Sequence, residues 1–195
     1  MSEENKKRYD AFISYRHSEL DSFVAINLQR KLENFKLPKN VQSPTGKNAI
    51  TRVFRDEDEL PIASSLSEQI ENALNETDFL IVICTPRLPE SKWCEKEMET
   101  FIKLYGREKI LAVLAEGEPS EAFPKILTTK EVVTIDSDGN EIREEIKVEP
   151  LAADVRGTSK KEILKKMDDA ILRIAAPVFE INYDDLKQRH REMKN

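Results

Sequence analysis

The chain has 195 residues, 39% of them hydrophobic and 35% charged, with a net charge of -6; this describes one domain with a buried core and a heavily charged surface, neither disordered nor membrane-embedded. The acidic balance disfavours general binding to nucleic acid, which needs a basic field to displace counterions. No apolar run approaches the length of a membrane span and residues 1–10 lack the apolar core of a secretory signal, so no membrane contact is expected and the cytoplasm is the expected compartment.

Tyr9 to Tyr15 reads as a β-strand, and Ser18 to Leu37 switches to helical spacing with Phe23, Ile26, Leu28, Leu32 and Phe35 as its apolar positions. Pro, Gly, Ser and Asn between Pro38 and Asn48 mark a loop before a second strand at Ile50 to Phe54. A charged loop from Arg55 to Ser65 leads into a helix ending near Asn75. Phe79 to Cys84 (FLIVIC) is continuously apolar, as a central parallel strand covered on both faces must be. Ser91 offers an N-cap for a helix running to about Tyr105, and Ile110 to Ala115 reads as a fourth strand followed by a weak helix around Phe123 to Leu127.

Between Glu131 and Val148 the rhythm changes, because two alternating runs flank the turn residues Ser137-Asp138-Gly139-Asn140; a β-hairpin insertion over 131–148 is expected. A fifth strand near Leu151 to Val155 and a helix from Lys160 to Ala175, with Ile163, Met167, Ile171 and Ile174 on one face, complete the alternation. The order predicts an α/β, flavodoxin-like, open five-stranded parallel sheet with helices on both faces, plus the hairpin. Residues 1–8 read as a tail, 9–178 as the domain, and 179–195 as a helical extension that leaves it, of the kind that links to a further domain.

Several familiar sites are missing. The five glycines form no dinucleotide fingerprint after the first strand. Thr45-Gly46-Lys47 lacks the first glycine, the Ser/Thr and the preceding strand of a P-loop, and Cys84-Thr85-Pro86 stands where a receiver domain would carry its aspartate. His17 and His190 are too few and too far apart for a zinc cluster or a Ser/His/Asp arrangement, so no metal is expected. Cys84 and Cys94 are expected to be reduced and to pack.

In a flavodoxin-like sheet, ligands collect where strand order reverses, at the carboxyl ends of the first and third strands. That rule selects Ser14-Tyr15-Arg16-His17 and the segment from Pro86 to Glu97. On the third helix Cys94, Met98, Phe101, Ile102 and Tyr105 form the apolar stripe; Trp93 falls outside it, on the same side as Glu97 one turn later. Glu95 and Glu99 lie on other flanks and read as solvated charges. Glu97 is the acid placed to point across Trp93 toward the first strand, either as a functional carboxylate or as a surface charge beside a folded-over indole.

Three segments carry a family resemblance: Asp10-Ala11-Phe12-Ile13-Ser14-Tyr15-Arg16, Arg55-Asp56 through Leu60-Pro61, and Ser91-Lys92-Trp93-Cys94-Glu95-Lys96-Glu97. With them in register from residue 9 to about 175, the chain resembles bacterial TIR (Toll/interleukin-1 receptor) domains of the NAD-cleaving type. The resemblance implies that the loop holding Arg55, Leu60 and Pro61 serves self-association, with other TIR domains as partners, and that Glu97 matches the catalytic glutamate of NAD-cleaving members. It implies NAD+ as a substrate rather than a bound cofactor; the placement and chemistry of Ser14, Tyr15, Arg16, Asp56 and Trp93 around Glu97 make them the expected binding residues. A signalling role in bacterial defence or cell death follows from the same resemblance. Ile62-Ala63-Ser64 departs from the glycine that many relatives carry after the loop proline. TIR domains also include non-catalytic assembly adaptors, and that is the principal alternative; a nucleotide sensor without turnover is a third.

Overall fold

The computed structural model describes residues 7–56 and 67–194. Strands β1 (Tyr9–Ser14), β2 (Val53–Arg55), β3 (Thr77–Cys84), β4 (Ile110–Leu114) and β7 (Leu151–Asp154) form a five-stranded sheet in the order β2-β1-β3-β4-β7. All of its pairings are parallel. This is the flavodoxin-like order, with strand direction of travel reversing between β1 and β3.

Alternation along the buried strands divides the core into two layers. Ile13, Ile81, Ile83 and Val113 face helices α1 (Glu19–Glu33) and α6 (Lys160–Val178), while Phe12, Leu80, Val82 and Cys84 face α2 (Glu68–Asn75) and α3 (Lys92–Tyr105). Each of these four helices begins on a serine whose side chain accepts an amide of the first turn: Ser18 from Asp21, Ser67 from Ile70, Ser91 from Cys94 and Ser159 from Glu162. These caps aim the helix starts at the carboxyl edge of the sheet.

Some local expectations are revised. The sheet side of α1 is formed by Val24, Ala25, Leu28 and Leu32, whereas Ile26 is 46% exposed, because it sits roughly 200° round the helix from Val24. The second strand is shorter than Ile50 to Phe54: Thr51 gives its amide to the buried Asp10 carboxylate at 2.9 Å, and Lys47 ties the same carboxylate at 2.8 Å. Side-chain capture of the backbone thus displaces the ladder to Val53. The weak fourth helix splits into two short turns, α4 (Pro119–Ala122) and α5 (Lys125–Thr128), separated by Pro124.

The hairpin consists of β5 (Thr129–Ile135) and β6 (Glu141–Lys147), antiparallel and separate from the main sheet. Its turn is held by the Asp136 carboxylate, which accepts the amides of Asp138 and Asn140 at 2.9 Å, and Gly139 supplies a φ of +81°. At the other end α7 (Tyr183–Lys194) does not depart from the domain at its start. Leu186 is fully buried beside α6, and Lys187 pairs with Asp169 at 3.1 Å. Leu186→Ala is therefore expected to destabilise the domain by about 2–5 kcal/mol in urea unfolding, where a freely departing helix would show almost no effect. No helix among the described residues is long and apolar enough to cross a membrane.

Candidate active site

Ser14 closes β1 on the same face as Phe12, so its side chain points toward α3. The cap at Ser91 places Glu97 six residues into that helix, inside its buried face rather than beside it. Ser14 Oγ donates to Glu97 Oε1 at 2.8 Å, joining the two segments across the point where strand order reverses. Glu97 is only 5% exposed. Burial pushes its carboxyl up to about 8; the Ser14 hydroxyl opposes this by favouring the anion, and the neighbouring Asp56 charge reinforces it. A poorly solvated carboxyl beside a second acid, at the ligand-binding edge of an α/β sheet, is the pattern of a functional acid.

Ser14→Ala removes a hydrogen bond that favours ionisation, so the Glu97 titration is expected to move to still higher pH. Carboxyl-carbon NMR titration of Glu97 checks this; an unmoved midpoint would show that the hydroxyl has no hold on the acid.

The other expected site residues are distributed around this pair. Asp56 directly follows β2 and lies close enough for its charge to act on Glu97. Tyr15 belongs to the opposite core layer, is 6% exposed, and stacks on His17 at 4.5 Å between ring centroids. Its hydroxyl donates to the Asp56 carbonyl at 2.5 Å and accepts from Arg55 Nη1 at 3.1 Å, while Arg55 Nε reaches Gln29 Oε1 at 2.9 Å. Tyr15 and Arg55 thereby anchor the chain where it enters the loop after β2. Leu60 and Pro61 lie outside the described residues.

Arg16 crosses from the end of β1 to the segment after β3, where its Nη1 donates to the Arg87 carbonyl at 3.2 Å and to Glu90 Oε2 at 3.3 Å. Trp93 packs, half-buried, against the core layer of α2 and α3, with Lys96 Nζ 5.4 Å from its ring. Glu95 and Glu99 are exposed.

Two further polar groups at this edge escaped the sequence reading. Asp21, in the first turn of α1, is 1% exposed, and burial pushes its carboxyl up against the opposing influence of Ser18 and Arg16. Its Oδ2, like Thr85 Oγ1 just past β3, has no hydrogen-bond partner among the described residues. An acid three residues after a serine cap reads as a capping acid, which conceals it. Both cysteines are buried, with the Cys94 thiol pushed up to about 12, first by burial and then by Glu97; neither supplies a thiolate near neutral pH. Among the described residues no group of His, Cys, Asp and Glu could hold a metal ion.

A flavodoxin-like sheet carrying a buried, serine-bonded acid at its switch point thus defines the class of this domain. A model of the TIR domain family matches residues 11–149, and the chain belongs to that family. Among curated relatives, the NAD(+) hydrolase ApTIR of Actinoplanes sp. is 32% identical over 111 residues, 57% of this chain and 14% of that protein. The NAD(+) hydrolase TcpA of a Theionarchaea archaeon is 29% identical over 126 residues, 63% of this chain and 34% of its own length. The probable 2' cyclic ADP-D-ribose synthase TcpO of Methanobrevibacter olleyae is 27% identical over 111 residues, 56% of this chain and 28% of its own. The chain therefore spans about a third or less of the length of these relatives. A solved chain from the TIR domains of the activated Roq1 resistosome is similar at 22% identity, TM-score 0.43, over 57% of this chain and 60% of that one.

Proposed function

We propose that this domain cleaves NAD+ at the bond between nicotinamide and ribose, with Glu97 as the catalytic group. The observation that carries the reading is the Ser14–Glu97 hydrogen bond at the switch point, which holds a buried carboxyl where an α/β sheet receives its ligand. That three relatives are named for NAD+ hydrolysis or cyclic ADP-ribose synthesis supports the choice of substrate.

The chemistry suits a single acid. Nicotinamide leaves as a neutral molecule from a cationic ring, so no general acid is required, and positive charge develops at the ribose C1' as in glycoside hydrolysis. An ionised Glu97 held against the ribose hydroxyls stabilises that charge in a poorly solvated setting, where it acts strongly. Water adding at C1' gives linear ADP-ribose and releases a proton; an internal oxygen or nitrogen nucleophile gives a cyclic product instead. Arg16, freed from Glu90 by a phosphate that outcompetes that exposed carboxylate, holds the pyrophosphate. Trp93 and Asp56 flank the approach, and Tyr15 acts by positioning Asp56. Asp21 Oδ2 and Thr85 Oγ1, buried at the same edge without a hydrogen-bond partner among the described residues, are further oxygens that hydroxyl or amino groups of the substrate would satisfy.

The loop containing Arg55, Leu60 and Pro61 assembles active copies, and a cytoplasmic role in defence signalling through NAD+ loss fits the same reading. Incubating concentrated protein with NAD+ and following nicotinamide by chromatography tests it. Nicotinamide release, with linear or cyclic ADP-ribose as co-product, is the expected result. Intact NAD+ under conditions of demonstrated self-assembly would overturn the enzymatic reading in favour of an assembly adaptor.

A further inference from the structure

The β5–β6 hairpin takes no part in the site. An isolated two-stranded sheet is marginal in water, and this one leaves Val133, Ile135, Ile142 and Ile146 between 40% and 73% exposed. All of β6 is exposed. The ladder is framed by Asp136 N–H to Asn140 O at 3.0 Å and Val148 N–H to Thr128 O at 2.8 Å, so the even-numbered residues of β6 exchange hydrogen bonds with β5. The amides and carbonyls of Glu141, Arg143, Glu145 and Lys147 then point outward, with no backbone partner among the described residues.

We propose that β6 pairs with β6 of a second copy of this chain, antiparallel about Glu144, to give a four-stranded sheet in the order β5-β6-β6-β5. The strand Glu141-Ile142-Arg143-Glu144-Glu145-Ile146-Lys147 is self-complementary in that register. Glu141 lies opposite the partner's Lys147, Ile142 opposite the partner's Ile146, and Arg143 opposite the partner's Glu145. The outward-pointing residues fall opposite one another, so the hydrogen-bond phase and the charge pattern select the same alignment.

Neighbouring registers fail. Sliding the axis to Arg143 sets Arg143 against itself and Glu141 against Glu145; sliding it to Glu145 sets Glu145 against itself and Arg143 against Lys147. The existing contacts of Arg143 with Glu131 and Glu141, and of Glu145 with Lys125, are solvent-exposed and compete weakly. Only the Glu144 pair on the axis is repulsive, which keeps the association weak and concentration-dependent. The pairing is independent of the reading of the NAD+ site, since it uses none of its residues.

Sedimentation of the whole chain over a range of concentrations, with charge variants, tests the proposal. Arg143→Glu and Glu145→Arg are each expected to weaken self-association by about tenfold or more, because each creates like-charge pairs on both sides of the axis. An equimolar mixture of the two variants restores it, since every contact between positions 143 and 145 is again between opposite charges. Glu144→Cys, treated with oxidised glutathione, is expected to give a disulfide-linked dimer, because residues facing each other in this non-hydrogen-bonded position have Cα atoms about 4.5 Å apart. Arg143→Cys, offset along the strand from its counterpart, gives no such dimer; Cys84 and Cys94 are buried and do not interfere. Self-association unchanged in both charge variants, a mixture no stronger than its components, or equal cross-linking of the two cysteine variants would each overturn the pairing.

Discussion

Glu97→Gln is expected to reduce nicotinamide release from NAD+ by about 10²–10³-fold while leaving the domain folded. The amide keeps the size of the side chain and can still meet the Ser14 hydroxyl, so packing around α3 is preserved. What it removes is the negative charge opposite the developing cation at C1'. Because that charge acts in the transition state rather than equally in the bound substrate, the loss falls on kcat more than on KM. Steady-state kinetics with circular dichroism as a folding control measure both. A folded variant that turns over NAD+ at the original rate would remove Glu97 from the mechanism.

The second large effect concerns pH, since burial holds the Glu97 carboxyl at about 8 against an ordinary value of 4.5. Its active form is the anion, so kcat/KM, which reports the free domain, should rise with pH along a limb centred near 8. The cationic ring of bound NAD+ favours the anion, so the corresponding limb in kcat should lie lower. Stability moves the other way. The folded chain retains a proton that the unfolded chain releases between about pH 4.5 and 8, so stability, the free energy of unfolding, falls as pH rises through that window and levels off above it. Glu97→Gln escapes this cost: the variant should match the parent near pH 4 and exceed it by a few kcal/mol above pH 8, seen as a widening gap in Tm. A constant gap across the range would mean that Glu97 titrates as an ordinary surface acid. Activity and stability thus pull against each other at one side chain, as expected of a charge kept poorly solvated for chemistry.

Much of the fold was legible because the strongest signals are local. Phe79 to Cys84 announces a central strand by its unbroken apolar run, and Ser91 announces the start of α3 by its capping side chain. The helix of 160–175, the hairpin turn at Gly139 and the parallel sheet follow from the same kind of pattern. Boundaries were less legible where a distant group captured the backbone, as Asp10 does at Thr51, or where a helix docked through a single residue, as α7 does through Leu186. Neither Asp10 nor Leu186 differs in type from what a solvated segment could carry.

The candidate site divides along the same line. Periodicity separated Glu97 from Glu95 and Glu99, and strand order brought it toward Ser14, because both depend only on spacing and connectivity. The sequence by itself therefore determined the layered α/β architecture and singled out Glu97 from its neighbours, but it set Glu97 beside the apolar stripe, where the structure places it within the buried face. It could not determine the protonation of Glu97, the engagement of Arg16 with Glu90, the burial of Tyr15 beneath Asp56, or the burial of Asp21 and Thr85 oxygens without a partner among the described residues. Those rest on desolvation and on contacts between segments distant in the chain, and both quantities exist only once the elements have packed.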